Sequence, residues 1–180
     1  MTMGAPDGLD SKTTLRTACS AATSLPTAPR CHEDIDLGKI PYGENGENCQ
    51  KFLIGRHQQP GENKDIIILG TKKTVRQFCL SPFKSCDGTF SIAPKLFYQA
   101  MIFLCMTNKA YTLSMIALMP DKSRDSYDNM FGVLVGYFEA ENLDYSWVGA
   151  VFMTDFEVAM RSSILMFFPY SFLTKNCVTL

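Results

Sequence analysis

The sequence lacks most features that mark a secreted, membrane-spanning or independently DNA-binding protein. Its longest apolar stretch, Ala100 to Met106, is far shorter than the roughly 20 residues that a membrane-spanning helix requires. No apolar run opens the chain, which argues against a secretory signal. Only 19% of the 180 residues are charged and the net charge is −1, whereas a protein that wraps DNA by itself is usually basic. We therefore expect a soluble, non-secreted protein.

The seven cysteines lack the spacing of a disulfide framework or a zinc site. None forms a C-x-x-C pair, and their number is odd. Cys31 and His32 are adjacent rather than spaced as zinc ligands, and no second pair accompanies them. This pattern favours reduced thiols in a nuclear or cytoplasmic protein.

Composition divides the chain near residue 49. Residues 1–48 are rich in Ser, Thr, Ala, Pro, Gly and Asp and have too few apolar residues to offset the entropy of ordering, which predicts a disordered N-terminal arm. Residues 49–180 carry regular apolar patterns and predict one α/β domain. The domain is expected to begin with a buried strand at Ile66 to Leu69 and a short helix capped by Thr71. Three strands should follow, at 83–90, 99–107 and 111–119. A helix at 124–141, a strand at 147–154, a helix at 156–168 and a strand at 176–180 complete the predicted order.

Two acidic residues stand out by their position in this pattern. Asp87 lies within a strand built mainly of apolar and small residues, and Asp155 follows the fourth strand directly. A buried carboxylate is costly unless it is paired or binds a metal, and acids at the carboxyl ends of parallel strands lie where α/β folds bind ligands. Two alternatives with purely structural roles stay open, because Asp87-Gly88 suits a turn and Asp155 could cap a helix. Glu157 is expected in the first helical turn, facing away from Asp155.

Three sequence blocks resemble the catalytic domain of the Mutator-like (MULE) transposases. Asp87-Gly-Thr-Phe90 with Pro94 and Phe97-Tyr-Gln99 is similar to the first block of the family. Ala117-Leu-Met-Pro120 with Lys122, Tyr127 and Phe131 is similar to the second, and Met153-Thr-Asp-Phe-Glu157 with Ala159 and Phe168-Pro169 to the third. Each block alone is a weak signal, but their order and spacing together are specific. The resemblance covers residues from about 50 to 170.

The resemblance implies a fold, a chemistry and a location. The fold would be α/β and RNase H-like, a mixed sheet with flanking helices in which three antiparallel strands precede α/β crossovers. Asp87 and Asp155 would be two acids of a catalytic triad that binds Mg²⁺ or Mn²⁺ for DNA cleavage and strand transfer, as hard oxygen ligands suit. DNA would be the partner, and the nucleus, or else the cytoplasm, the location.

The sequence also departs from the family pattern. Family members usually carry a C-x-x-H motif and a third acid, a Glu, further along, whereas Cys177-Val-Thr-Leu180 has Leu180 at the His position. We therefore expect an RNase H-like domain that is incomplete at its C-terminus and catalytically inactive by itself. The alternative is a non-enzymatic interaction module of transposase origin, which binds a protein partner or a second copy. A weaker alternative is a generic α/β fold with an accidental match.

Overall fold

The computed structural model describes residues 29–35, 41–42, 50–59, 64–155 and 157–175. A single 3-10 turn covers His32–Asp34. The helices are α1 (Lys72–Leu80), α2 (Arg124–Ala140) and α3 (Val158–Phe167). The strands are β1 (Pro41–Tyr42), β2 (Gln50–Lys51), β3 (Leu53–His57), β4 (Ile66–Gly70), β5 (Phe83–Thr89), β6 (Gln99–Thr107), β7 (Ala110–Met119), β8 (Val151–Thr154) and β9 (Phe172–Lys175).

The described domain is α/β, with a seven-stranded mixed sheet flanked by helices. The strand order is β3-β4-β7-β6-β5-β8-β9, and β1 pairs with β2 in a separate ladder. Strand β6 is antiparallel to both of its neighbours, β5 and β7, whereas β8 is parallel to β5 and β9 is parallel to β8. The expected mixed sheet is thus confirmed, and the first and fourth strands of the predicted order, β5 and β8, are neighbours. A sheet without that adjacency would have favoured an accidental match.

Local sequence signals explain where several elements begin and turn. Thr71 caps α1, because its hydroxyl oxygen accepts a hydrogen bond from the Thr74 amide at 3.2 Å. Ser123 caps α2 in the same way through the Ser126 amide at 3.2 Å. Between β6 and β7, Asn108 and Lys109 have φ values of 50° and 63°, the left-handed pair that a tight hairpin turn requires.

All three helices cover the same face of the sheet. The ring of Phe78 on α1 lies 5.8 Å from that of Phe103 on β6, and Phe131 on α2 lies 6.4 Å from the same ring. On α3, Met160 contacts the Cys86 thiol of β5 at 3.6 Å. Since Cys86 and Phe103 are register partners, these contacts lie on one side of the sheet. The core of the domain forms there, and Phe78, Cys86, Phe103, Phe131 and Met160 are all buried.

The opposite face of the sheet carries apolar side chains but no helix among the described residues. We call it the helix-free face, defined by Ile102, Leu104, Leu113, Ile116, Leu118 and Met153. All except Leu113 are only partly buried, and Leu113 is 48% exposed. Alternation of side chains along each strand accounts for the division, because neighbours such as Met101, Phe103 and Ala117 point into the core.

Two predicted strands differ from those in the structure. The strand expected at 147–154 begins only at Val151, because Trp147 has φ 46° and takes part in a turn. Its burial alternates, so it is not enclosed on both faces as its apolar sequence suggested. The final strand lies at Phe172–Lys175, before the predicted one at 176–180, which falls outside the described residues.

Residues 29–35, inside the expected disordered arm, are packed against the domain. His32 is buried, its ring stacks on Phe97 at 4.7 Å, and its Nε2 lies 2.7 Å from the Leu96 carbonyl oxygen. The Arg56 guanidinium donates to the carbonyl oxygen of His32 at 2.8 Å and pairs with Asp65. The sparse contact predicted for the arm is therefore wrong for this stretch, and the expected lack of regular structure is wrong at Pro41–Tyr42, which pairs with β2. Residues 1–28, 36–40 and 43–48 of the arm lie outside the described residues.

Candidate active site

The two acids that the sequence singles out are brought together by the pairing of β5 with β8. These strands are parallel, and Ser85 lies beside Met153 in the register. Two residues beyond that last pair lie Asp87, still within β5, and Asp155, directly after β8. Neighbouring strands lie about 4.8 Å apart. The register thus predicts that two acids far apart in the sequence lie near each other where the pairing of β5 and β8 ends.

The neighbouring side chains show on which side of the sheet each acid lies. Cys86 and Thr154 immediately precede the acids, and both contact the Met160 sulfur on α3 at 3.6 Å. Side chains alternate between faces along a strand, so Asp87, which pairs with Ile102, lies on the helix-free face. Asp155 lies beyond the end of β8, where its carboxylate accepts from the Glu157 amide and helps to raise the pKa of Tyr127 on the helix-covered side.

The two carboxylates have different surroundings. Asp87 is exposed, and no described residue pairs with its carboxylate. Asp155 is partly buried, and its Oδ1 accepts a hydrogen bond from the Glu157 amide at 3.1 Å. Because Asp87 is not buried, the sequence argument that its carboxylate needs a partner to offset desolvation is wrong. The turn alternative for Asp87-Gly88 is also wrong, because both residues belong to β5. The cap alternative for Asp155 is wrong too, because the N-cap of α3 is Glu157, and Asp155 only accepts a hydrogen bond from the amide of that residue.

Both acids act electrostatically on one buried thiol. The pKa of Cys86 is raised well above its usual range, first by burial and further by the negative charges of Asp155 and Asp87. The Thr154 hydroxyl opposes this shift through a hydrogen bond. Both carboxylates therefore lie near the Cys86 thiol.

Glu157 belongs to a different cluster on the helix-covered side. It is the N-cap of α3 with an extended backbone, so the helical geometry used to place it from the sequence does not apply. Its carboxylate lies 3.5 Å from the Lys122 ammonium. Burial raises the pKa of Tyr127 far above its usual range, and the Glu157 carboxylate beside the hydroxyl raises it further. Glu157 is therefore engaged with Lys122 and Tyr127.

A buried glutamine next to this cluster was not singled out as a functional residue by the sequence. Gln99 is fully buried, and its Nε2 donates to the Tyr127 hydroxyl at 3.0 Å. Its Oε1 has no hydrogen-bond partner among the described residues. A Cβ atom at Gly88 would lie 2.6 Å from that oxygen, so the glycine next to Asp87 is required by this close approach. Gln99 is therefore packed directly behind the acidic pair.

The donor set of the pair fits one divalent cation but not two. Mg²⁺ is commonly bound through one or two carboxylates together with water and substrate phosphates, and two adjacent aspartates meet that requirement. A two-ion site needs further carboxylates. Among the described residues, no group of three His, Cys, Asp or Glu side chains is placed to hold a metal.

A cavity of about 280 Å³ lies away from the acidic pair, at the amino ends of β5 and β8. It is lined by Lys84, Trp147, Pro82 and Asp144, among others. Lys84 is fully buried, and its ammonium donates to the carbonyl oxygens of Ser81 and Cys79 and lies 4.7 Å from the Trp147 ring centroid. These contacts satisfy the charge, so Lys84 has a structural role at the end of α1.

No family model matches this chain, and no curated protein matches it either. The resemblance to the Mutator-like transposases therefore stays a prediction that rests on the residues quoted above. No helix in the described part of the chain is long and apolar enough to cross a membrane.

Proposed function

We propose that this chain is a relative of the Mutator-like transposases in which Asp87 and Asp155 bind one divalent cation, and that it does not cleave DNA by itself. The observation that supports the proposal is the parallel register of β5 and β8, whose last pair, Ser85 with Met153, lies two residues before each acid. A generic α/β fold has no reason to bring together the two acids that a family motif selects. DNA and a nuclear location remain part of the proposal through the resemblance alone.

The roles of the residues follow from their surroundings. Asp87 is exposed and unpaired within the described residues, so it can give its carboxylate to an ion without breaking an existing contact. Asp155 is held by the Glu157 amide and so is pre-oriented. A bound Mg²⁺ would supply charge stabilisation at a phosphate. Because Glu157 already pairs with Lys122, the described residues supply two carboxylates where a two-ion site requires more.

The proposal is tested by nicking of supercoiled DNA in the presence of Mg²⁺ or Mn²⁺. We expect the wild-type chain to produce no nicked circles above those of Asp87→Asn and Asp155→Asn, because two carboxylates cannot hold both ions of a two-ion site. Asp125→Asn, an exposed acid at the start of α2, is a matched control for a lost surface charge. Robust nicking that disappears in both site variants but persists in the control would refute the inactive part of the proposal.

The second candidate function is a non-enzymatic interaction module, and the helix-free face favours it. Apolar side chains that remain partly exposed across several strands are typical of a surface that a partner covers. Under this proposal the partner is a second copy or another protein that lies on Leu113 and its neighbours. We expect Leu113→Glu to reduce self-association in sedimentation measurements, whereas Leu80→Glu, an exposed leucine on α1, leaves it unchanged. If the wild type, Leu113→Glu and Leu80→Glu all sediment as monomers, a second copy is excluded as the partner.

A further inference from the structure

We propose that the cavity at the amino ends of β5 and β8 is a binding site for a small monocarboxylate with an apolar tail. The carboxylate binds to the Lys84 ammonium and the Trp147 indole N–H, and the tail lies toward the mouth of the cavity. This site is independent of the proposed function, because it lies at the opposite end of the two strands from Asp87 and Asp155.

The first observation is a buried positive charge that lacks a negative partner. Lys84 is fully buried and lines the cavity. The carbonyl oxygens of Ser81 and Cys79 and the ring of Trp147 hold its ammonium in place, but they contribute only partial charges. No Asp or Glu among the described residues forms an ion pair with it. A buried charge is costly unless a counter-charge accompanies it, so an anion in the cavity would stabilise this lysine.

The second observation is an unpartnered hydrogen-bond donor on the same cavity. Trp147 lines the cavity and is only 6% exposed. Its Nε1 is buried and has no hydrogen-bond partner in the part of the chain that the structure describes. An indole N–H can only donate, and a buried donor without an acceptor is unfavourable. A carboxylate supplies what the two side chains lack, a negative charge for Lys84 and an acceptor oxygen for Trp147.

The size and the lining of the cavity restrict the anion to a small one with an apolar tail. Its volume of about 280 Å³ lies at the small end of the range for ligand sites. One positive charge and two donors match a carboxylate, with one negative charge and two oxygens, better than a phosphate. Leu80 is 70% exposed and Val148 is 75% exposed, and both line the cavity, so they form an apolar mouth that can contact the tail.

One acid also lines the cavity, and its surroundings are compatible with an anionic ligand. The Asp144 carboxylate is exposed, and its Oδ1 accepts a hydrogen bond from the Ser146 amide at 3.0 Å. That bond lowers the pKa of Asp144, which keeps the carboxylate charged. Water and salt screen an exposed charge, whereas a buried ammonium is screened much less. The attraction by Lys84 therefore outweighs the repulsion by Asp144.

Backbone hydrogen bonds fix one wall of the cavity. Trp147 and Gly149 have φ values of 46° and 75°, in a turn that the Ala150 amide closes by donating to the Trp147 carbonyl at 3.0 Å. The Val151 amide donates to the Pro82 carbonyl at 2.8 Å and joins this turn to the start of β5. A site that is fixed before binding loses little conformational entropy when a ligand enters.

The test follows the indole N–H signal in proton–nitrogen correlation spectra of the full chain, which has a single tryptophan and therefore a single indole signal. Titration with sodium hexanoate should move this signal downfield until it saturates, because the N–H gains an acceptor. Hexanol, which has the same chain length but no charge, should bind at least about tenfold more weakly. This comparison uses only the wild-type protein, so it does not depend on the folding of any variant.

Two pairs of variants locate the binding. Lys84→Met should weaken hexanoate binding at least about tenfold, whereas Lys73→Met, which removes an exposed lysine from the first turn of α1, should bind as the wild type does. Val148→Glu should also weaken binding, because it places a negative charge at the mouth. Its control is Val158→Glu, at a position that is 77% exposed at the start of α3.

Any one of four results would overturn the proposal. The first is no saturable shift of the indole signal by hexanoate at millimolar concentration, and the second is equal affinity for hexanol. The third is undiminished hexanoate binding in Lys84→Met or in Val148→Glu. The fourth is an equal loss of binding in the controls Lys73→Met and Val158→Glu, which would place the ligand elsewhere on the protein.

Discussion

Replacing Lys84 by methionine should change the pH dependence of stability in a defined direction. The Lys84 side chain is fully buried and has no carboxylate partner among the described residues. Burial lowers the pKa of its ammonium from 10.5 to about 8, a shift that the nearby thiols of Cys79 and Cys105 only partly oppose. The folded protein therefore releases the proton more readily than the unfolded chain does.

The size of the effect follows from these two pKa values. Below pH 8 both states are protonated, and the folded state carries the full cost of a buried charge, roughly 3 kcal/mol at 1.36 kcal/mol per tenfold change. Between pH 8 and 10.5 the unfolded chain holds the extra proton, so the free energy of unfolding rises with pH. From pH 7 to pH 10 we expect a gain of about 2.5 kcal/mol in wild type that Lys84→Met lacks.

The assay is urea unfolding of both proteins at pH 7, 8, 9 and 10. Subtracting the Lys84→Met values removes the titration of all other groups, since both proteins share them. Lys84→Arg is a useful companion, because guanidinium stays charged throughout and should remove the pH dependence without removing the charge. A difference between wild type and Lys84→Met that is flat from pH 7 to pH 10 would refute a buried, desolvated ammonium at this position.

Three further changes have clear expected outcomes. His32→Ala should lower the free energy of unfolding by about 2 kcal/mol, because the imidazole loses two hydrogen bonds and its stacking on Phe97. It should also speed amide hydrogen exchange at Phe97. Unchanged exchange would contradict the packing of residues 29–35. Gly88→Ala should cost about 1 to 3 kcal/mol in thermal unfolding, because its Cβ meets the buried Gln99 oxygen, and a neutral result would mean that Gln99 can move. Thr71→Ala should cost about 1 kcal/mol in urea unfolding, since α1 loses its cap, with Thr112→Ala in an exposed strand position as the control.

The sequence predicted the elements of the central sheet well, because their signals are local. A strongly apolar run identified β6 from Gln99 to Thr107 with the observed bounds. The spacing of Tyr127, Met130, Phe131, Leu134 and Phe138 identified the buried face of α2, and all five are buried. Apolar content failed at Trp147, where the ring packs in the core from a turn rather than from a strand. Hydrophobicity reports burial, and it does not by itself distinguish a strand from a loop that turns inward.

The candidate site depended on information that the sequence carries only in part. Motif resemblance selected Asp87 and Asp155, but their shared edge depends on a parallel pairing between distant segments, which no local pattern specifies. Burial was misjudged at Asp87, because the apolar neighbours of a strand residue say nothing about which face has a helix. Gln99 and His32 were missed as well. Their roles arise from contacts with residues far away in the sequence, such as Tyr127 and Leu96.

The central claim, that Asp87 and Asp155 bind one cation together, is tested most directly by Mn²⁺ titration followed by paramagnetic broadening of backbone amide resonances. The account predicts broadening centred on Gly88 and Asp155, saturating with one ion, and lost in both Asp87→Asn and Asp155→Asn but retained in Asp125→Asn. Broadening centred elsewhere, or broadening at Gly88 that survives either site substitution, would contradict a shared ion site.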